Sequence, residues 1–163
     1  AERKGDDFLL IRKAETKDIP ALQTLLKQVG NVHHEGRPDL FLPDTCKYNE
    51  QELAQMLACD KTPVFVAVQE DVVHGYAFCQ LTKSHGNGAF VEHKALYLDD
   101  LCVLETCRGT GVGKLLYEFV KDFAKKQGCY HLTLNVWTCN PTAIKFYEKM
   151  GLVPQKITME QVL

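Results

Sequence analysis

The chain has 163 residues, 45% of them hydrophobic and 25% charged, which is the size of one domain and the composition of a folded rather than a disordered chain. Lys+Arg number 19 and Asp+Glu 21, a formal net charge of −2, so there is no electrostatic footprint for nucleic acid or an anionic membrane. No apolar run reaches the ~20 residues of a membrane helix, and Ala1 to Asp7 is charged and lacks the apolar stretch of a signal peptide.

One domain over residues 1–163, cytoplasmic and without nucleic-acid or membrane partners, is the expectation. The cysteines number seven, an odd count with no CxxC pair. That fits neither a disulfide framework nor a metal site, and most are expected to be small buried hydrophobes.

In chain order, Phe8 to Arg12 is an apolar run suited to a first strand. Thr16 opens a helix with Ile19, Leu22, Leu25, Leu26 and Val29 at helical spacing, and Gly30 is expected to end it. Asn31 to Asp44 is rich in turn formers and reads as a long loop or a broken helical segment. Asn49 with Glu52 forms a capping box before Leu53, Met56 and Leu57.

The period then changes. Val64 to Val68 and Val73 to Leu81 are strands joined by a turn at Glu70 and Asp71, and Ala95 to Val103 is a third. Val112, Leu115, Leu116, Phe119, Val120, Phe123 and Ala124 mark an amphipathic helix ended by Gly128. His131 to Trp137 is a strand, Asn140-Pro141 caps a further helix that ends at Gly151, and Thr158 to Leu163 is a last strand. Several strands in succession before the long helix predict an α/β (α+β) fold, with a mixed, mainly antiparallel sheet and helices on both faces.

The segment Leu101 to Lys114, LCVLETCRGTGVGK, joins a strand to the long helix through Arg108 and three glycines. Glycines admit close backbone approach, and a helix N-terminus carries about half a positive charge. The combination suits a pyrophosphate or serves tight packing alone. The spacing is neither that of a P-loop nor that of G-x-G-x-x-G.

Asp99 and Asp100 precede this segment. Leu96 and Leu98 share one parity and Leu101 and Val103 the other. The apolar phase therefore switches between the two aspartates, as a bulge produces.

Arg108-Gly109-Thr110-Gly111-Val112-Gly113 matches Q/R-x-x-G-x-G/A, and Asn140 is followed by Ala143, Phe146, Tyr147 and Gly151 as in A-x-x-F-Y-x-x-x-G. On both motifs, and on element order from Phe8 to Leu163, the chain resembles the GNAT superfamily of acyl-CoA-dependent N-acetyltransferases. The resemblance implies the GNAT fold, with its sheet splayed at the acetyl-CoA site. It implies acetyl-CoA as co-substrate with no metal, a small-molecule amine as acceptor, and a homodimer by analogy.

It also implies residue roles. The backbone of Leu101, Cys102 and Val103 pairs with the pantetheine arm like an added strand. Arg108, Gly109, Thr110, Gly111, Val112, Gly113 and Lys114 hold the pyrophosphate. Asn140 touches the coenzyme, caps its helix, or does both. Tyr147 is the general acid for the departing thiolate, unless it is only a packed aromatic. The stretch LYLDDLCVLETCRGTGVGK is similar to that of the spermidine/spermine N-acetyltransferase branch. There the first of an acidic pair meets the acceptor amine, which makes Asp99 the group that orients or deprotonates it. Asp is shorter than that branch's Glu, which favours a bridging water, and two solvated edge carboxylates are the plain alternative.

His34, Glu35, Arg37 and Asp100 are the further acceptor candidates, the first three from the HHEGRPDLF loop. Trp137 reads as a buried aromatic and His93 as a strand-entry residue. Three rivals stand beside a small-amine acetyltransferase. They are a peptide acetyltransferase, a non-catalytic CoA-binding module, and acyl transfer through Cys102.

Overall fold

The computed structural model describes residues 8–163; the Ala1–Asp7 stretch, read above for a leader, lies outside the described residues. Five strands form one sheet in the order β1-β2-β3-β4-β5. They are β1 (Leu10–Lys13), β2 (Val64–Gln69), β3 (Val72–Ser84), β4 (His93–Val103) and β5 (His131–Thr133). β1 to β4 are antiparallel, and β5 runs parallel to β4. Helices α1 (Ile19–Gly36) and α2 (Glu50–Leu57) pack on one face, and α3 (Val112–Lys126) with α4 (Pro141–Lys149) on the other. This is the mixed sheet with helices on both faces that the element order predicts.

β2 reads as a continuous apolar run because both its faces are buried. Val64, Val66 and Val68 join the cluster of Leu22, Leu25 and Leu26, whereas Phe65 and Ala67 join that of Leu116 and Val120. α2 starts on the expected box: Glu52 N–H donates to Asn49 Oδ1 at 2.9 Å, and Asn49 N–H to Glu52 Oε2 at 2.8 Å.

The feature that positions the site is a bulge in β4. Phe78 pairs with Asp100 and Cys79 with Leu98, so Asp99 has no partner on β3. The extra residue flips the strand's phase. Leu96 and Leu98 lie in the α3 cluster; beyond the bulge, Leu101 and Val103 pack there too, while Cys102 joins the α1 cluster. β5 stays with β4 for only three pairs, Ala95–His131, Leu96–Leu132 and Tyr97–Thr133. From Leu98 onward the β5 side of β4 has no strand beside it among the described residues.

Four expectations are corrected. Gly30 does not end α1. A Cβ there would stand 2.9 Å from the Thr45 carbonyl oxygen, so the glycine lets the following loop lie against the helix. α1 continues through His33, His34 and Glu35, and Arg37 N–H closes it on His33 O at 2.8 Å.

β5 stops at Thr133 rather than Trp137, because β4 bends away at the bulge. Instead, Asn135 Nδ2 donates to the Tyr97 hydroxyl at 3.2 Å. Thr158–Leu163 forms no strand; the segment is exposed, and its Glu160 instead accepts from Arg37 at the end of α1. Of the seven cysteines, all free, only Cys79 and Cys102 are buried, since most of the others fall in loops.

Gly75 tests the spacing between β3 and α3. A Cβ there would lie 2.8 Å from the Cys102 carbonyl oxygen and 3.0 Å from Leu116 Cδ1. Strand propensity alone favours Ala over Gly. Overpacking dominates, so Gly75→Ala is expected to destabilise by ~1–3 kcal/mol in urea denaturation. A gain in stability would contradict this packing.

Candidate active site

The bulge sends both aspartates toward the α1–α2 side, where each finds a tyrosine. Tyr48 donates to Asp99 Oδ2 at 2.6 Å, and Tyr76 to Asp100 Oδ2 at 2.7 Å. Lys47 Nζ completes the first group, 2.9 Å from Asp99 Oδ1 and 3.0 Å from Oδ2. The Asp99 side chain is only 8% exposed, against 51% for Lys47.

The Tyr48 phenol is pushed up to about 12 by burial and by its bond to Asp99, so it is a fixed donor. Asp100 differs from its neighbour. Desolvation lifts its carboxyl to about 6, held back by the Tyr76 bond and the Lys47 charge. Tyr76 itself is fully buried, and desolvation raises it far above its ordinary value.

The glycine segment fits a phosphate-bearing ligand. α2 and α4 begin on capping asparagines, but α3 begins on Gly111 with no side-chain cap. Its first-turn amides are therefore left to solvent or to an anion. Gly109 and Gly111 have φ of 76° and 90°, and no atom lies within 4 Å of where a Cβ would stand on either. Gly113 serves packing, since its Cβ position is 3.4 Å from both Phe146 and Val103. Arg108, Thr110 and Lys114 are exposed around this turn. Asn140 Oδ1 accepts from Ala143 N–H at 3.2 Å, so its capping role is real.

Tyr147 lies on α4, its ring 5.2 Å from that of Phe146. Burial raises its phenol well above the ordinary range, and the negative charge of Asp100 adds to this. Its hydroxyl has no hydrogen-bond partner among the described residues, which is unusual for a partly buried phenol. Cys102 is a poor nucleophile here. It is buried under α1 with Sγ 3.4 Å from Gln28 Nε2, and burial pushes its thiol up to about 12.

Residues 30–152 match the model of the Acetyltransferase (GNAT) family. The chain belongs to the GNAT family of acetyltransferases. Among curated relatives, thialysine N-epsilon-acetyltransferase of Bos taurus is 24% identical over 155 residues, covering 88% of this chain and 84% of the relative. Streptothricin acetyltransferase of Streptomyces lavendulae is 37% identical over 59 residues, 36% of this chain and 31% of the relative. The chain spans less than half the length of the streptothricin relative and of the glucosamine 6-phosphate N-acetyltransferases of Drosophila melanogaster and Arabidopsis thaliana that it also matches.

A mutant of the BH1408 protein from Bacillus halodurans superposes with a TM-score of 0.91 at 30% identity, over 94% of this chain and 99% of that one. An aminoglycoside acetyltransferase from an uncultured soil metagenomic sample, solved with sisomicin, shares the fold with a TM-score of 0.69 at 18% identity, over 98% and 99% of the two chains.

Within this GNAT fold the bulge holds Asp99 and Asp100 on the α1–α2 side of β4, while Tyr147 packs with the α3 cluster on the other side of the sheet. The structure disperses the HHEGRPDLF candidates. His34 Nδ1 lies 2.6 Å from Phe41 O, Glu35 is exposed, and Arg37 is engaged by Asp39 and Glu160. His33 instead stacks 5.0 Å from Phe41, held below its ordinary value by burial and by the Lys47 charge. Phe41 meets Trp137 edge-on at 5.3 Å, and Trp137 is 40% exposed rather than buried.

Lys47, Tyr48 and Tyr76 are the site residues that sequence reasoning missed. Each lies in a loop or a strand with no motif of its own. The one available signal was the short distance of Lys47 and Tyr48 from the Asn49 cap.

Asp100 makes a pH test. Its raised carboxyl favours folding at low pH, and that contribution is lost as pH rises through about 6. Asp100→Asn is therefore expected to gain stability over the wild type at pH 8 relative to pH 4. Denaturation at both pH values checks it, and an equal difference at each would contradict the desolvation of Asp100.

Proposed function

We propose that the chain transfers an acetyl group from acetyl-CoA to the primary amine of a small cationic acceptor by direct attack. The observation that carries the reading is Tyr147, packed beside Phe146 in the α3 cluster, whose hydroxyl has no hydrogen-bond partner among the described residues and whose phenol burial keeps protonated. Such a group is a proton donor that awaits a base.

Acetyl-CoA supplies the activated acyl group, and the chain's residues hold it and manage protons. Backbone groups of Leu101, Cys102 and Val103 on the unpaired edge of β4 take the pantetheine arm by strand addition. Residues 108–114 take the pyrophosphate, with Asn140 beside the coenzyme. Asp99, directly or through a water, orients the amine and receives its proton. The amine nitrogen forms the new C–N bond as the C–S bond breaks, and Tyr147 gives its proton to the sulfur. A backbone N–H near Cys102 or Val103 faces the carbonyl oxygen as negative charge develops.

The buried, weakly acidic Cys102 supports direct transfer over an acyl-cysteine route. The cationic acceptor is favoured by the carboxylate pair at the bulge. A curated relative named for thialysine also points to a small amine.

Free-thiol release from acetyl-CoA against polyamines, thialysine, amino acids, aminoglycosides and short peptides tests the reading. Turnover is expected with a small cationic amine. Tyr147→Phe is expected to lower that turnover ~100-fold or more with acetyl-CoA affinity nearly unchanged. Unaltered turnover across the pH range would remove Tyr147 from the mechanism. Mass spectrometry after mixing with acetyl-CoA alone is expected to show no acetyl group on the protein, and acetylated Cys102 would overturn direct transfer.

A further inference from the structure

Asp99 already holds an amine, and it belongs to the protein. Lys47 Nζ lies 2.9 and 3.0 Å from the two carboxylate oxygens, in the geometry a primary ammonium from an acceptor would adopt. We propose that Lys47 is an intramolecular placeholder for the acceptor's ammonium, a latch on Asp99 that the acceptor must displace. The proposal rests on Asp99 being the amine's carboxylate.

The two partners of Asp99 differ in how firmly they are held. Tyr48 is anchored, its ring 5.7 Å from Phe78 and packed against the α1 cluster. Lys47 belongs to the loop between α1 and α2, and half of its side chain is exposed. Of the two donors, Lys47 can leave without disturbing the core.

Exchange also conserves charge. Asp99 is only 8% exposed, and a carboxylate this enclosed is costly to leave unpaired. One ammonium replacing another keeps the carboxylate compensated throughout. The same pairing keeps Lys47 from acting as a substrate. Burial lowers its basicity, but the hydrogen bond and charge of Asp99 outweigh this and leave it raised. A protonated amine has no lone pair with which to attack the thioester.

A latch divides acceptor affinity by the fraction of time that the site is open. Removing it tightens binding, whereas a residue that merely supports the loop would weaken binding when removed. Spermidine, a slender polyammonium, is the probe, and calorimetric titration is the readout. Lys47→Met is expected to bind spermidine roughly threefold tighter or more, as for a latch closed about two-thirds of the time. Lys47→Arg, whose planar fork grips a carboxylate bidentately, is expected to bind it more weakly than the wild type. The gain should vanish in Lys47→Met combined with Asp99→Asn.

Acetyl-CoA affinity in each variant reports whether the protein has folded, and Lys47→Gln replaces Lys47→Met if that variant fails. Equal or weaker spermidine binding after removal of Lys47 overturns the latch, as does a gain that survives Asp99→Asn. The two readings separate cleanly. Wild-type turnover by Asp99→Asn on the amine panel defeats the proton-accepting role of Asp99 and leaves the latch to the titrations. A missing gain in Lys47→Met alongside an inactive Asp99→Asn defeats the latch alone.

Discussion

A single unpaired residue in β4 organises the functional half of this molecule. Asp99 has no partner on β3, and the extra residue shifts every later side chain of β4 to the opposite face. Leu101 and Val103 thereby pack toward α3 and α4, while Asp100 and Cys102 turn toward α1. The same kink accompanies the loss of β5 after Tyr97. A strand that would otherwise be central then has no strand along one edge beyond Tyr97 among the described residues. There Val103 O accepts from Gln28 Nε2 at 3.0 Å, and the other backbone groups need a partner. The acetyl-CoA arm is the partner proposed here, and the glycine turn before the uncapped α3 lies at the end of that strand.

The bulge also separates two identical side chains into different chemistry. Asp99 is held by an ammonium and a phenol, those of Lys47 and Tyr48. Asp100 has one phenol, Tyr76, and too little water, so its carboxyl rises to about 6. Adjacent carboxylates with different partners are a common way for a protein to assign distinct proton-handling roles. In the proposed mechanism Tyr147, raised by burial on the α4 side, complements them as the proton donor.

Local rules were legible in the sequence wherever one residue and its near neighbours decide the outcome. The parity switch at Asp99 announced the bulge, Asn49 and Asn140 announced their caps, and the apolar spacing of α3 marked Val112, Leu116, Val120 and Ala124 as buried, although Leu115 and Phe119 in the same pattern are exposed. Long-range decisions were not legible. Gly30 looks like a helix end, but it exists to admit Thr45. Thr158–Leu163 has a strand's composition, yet it forms none, and its Glu160 is engaged by Arg37, 123 residues away in the chain. Lys47 and Tyr48 meet Asp99 across 52 and 51 residues of chain, and no spacing or motif records such a contact.

Amide hydrogen exchange with and without acetyl-CoA tests the central claim most directly, since it reads which backbone groups gain a partner. The account predicts new protection confined to Leu101 and Val103, whose amides alternate away from β3, and to residues 109–113 of the glycine turn. Leu96, already paired with β5, should be unchanged. Protection that appears elsewhere, for instance only around the hollow lined by Arg12, Asp18 and Thr24, with the β4 edge unaffected, would contradict it.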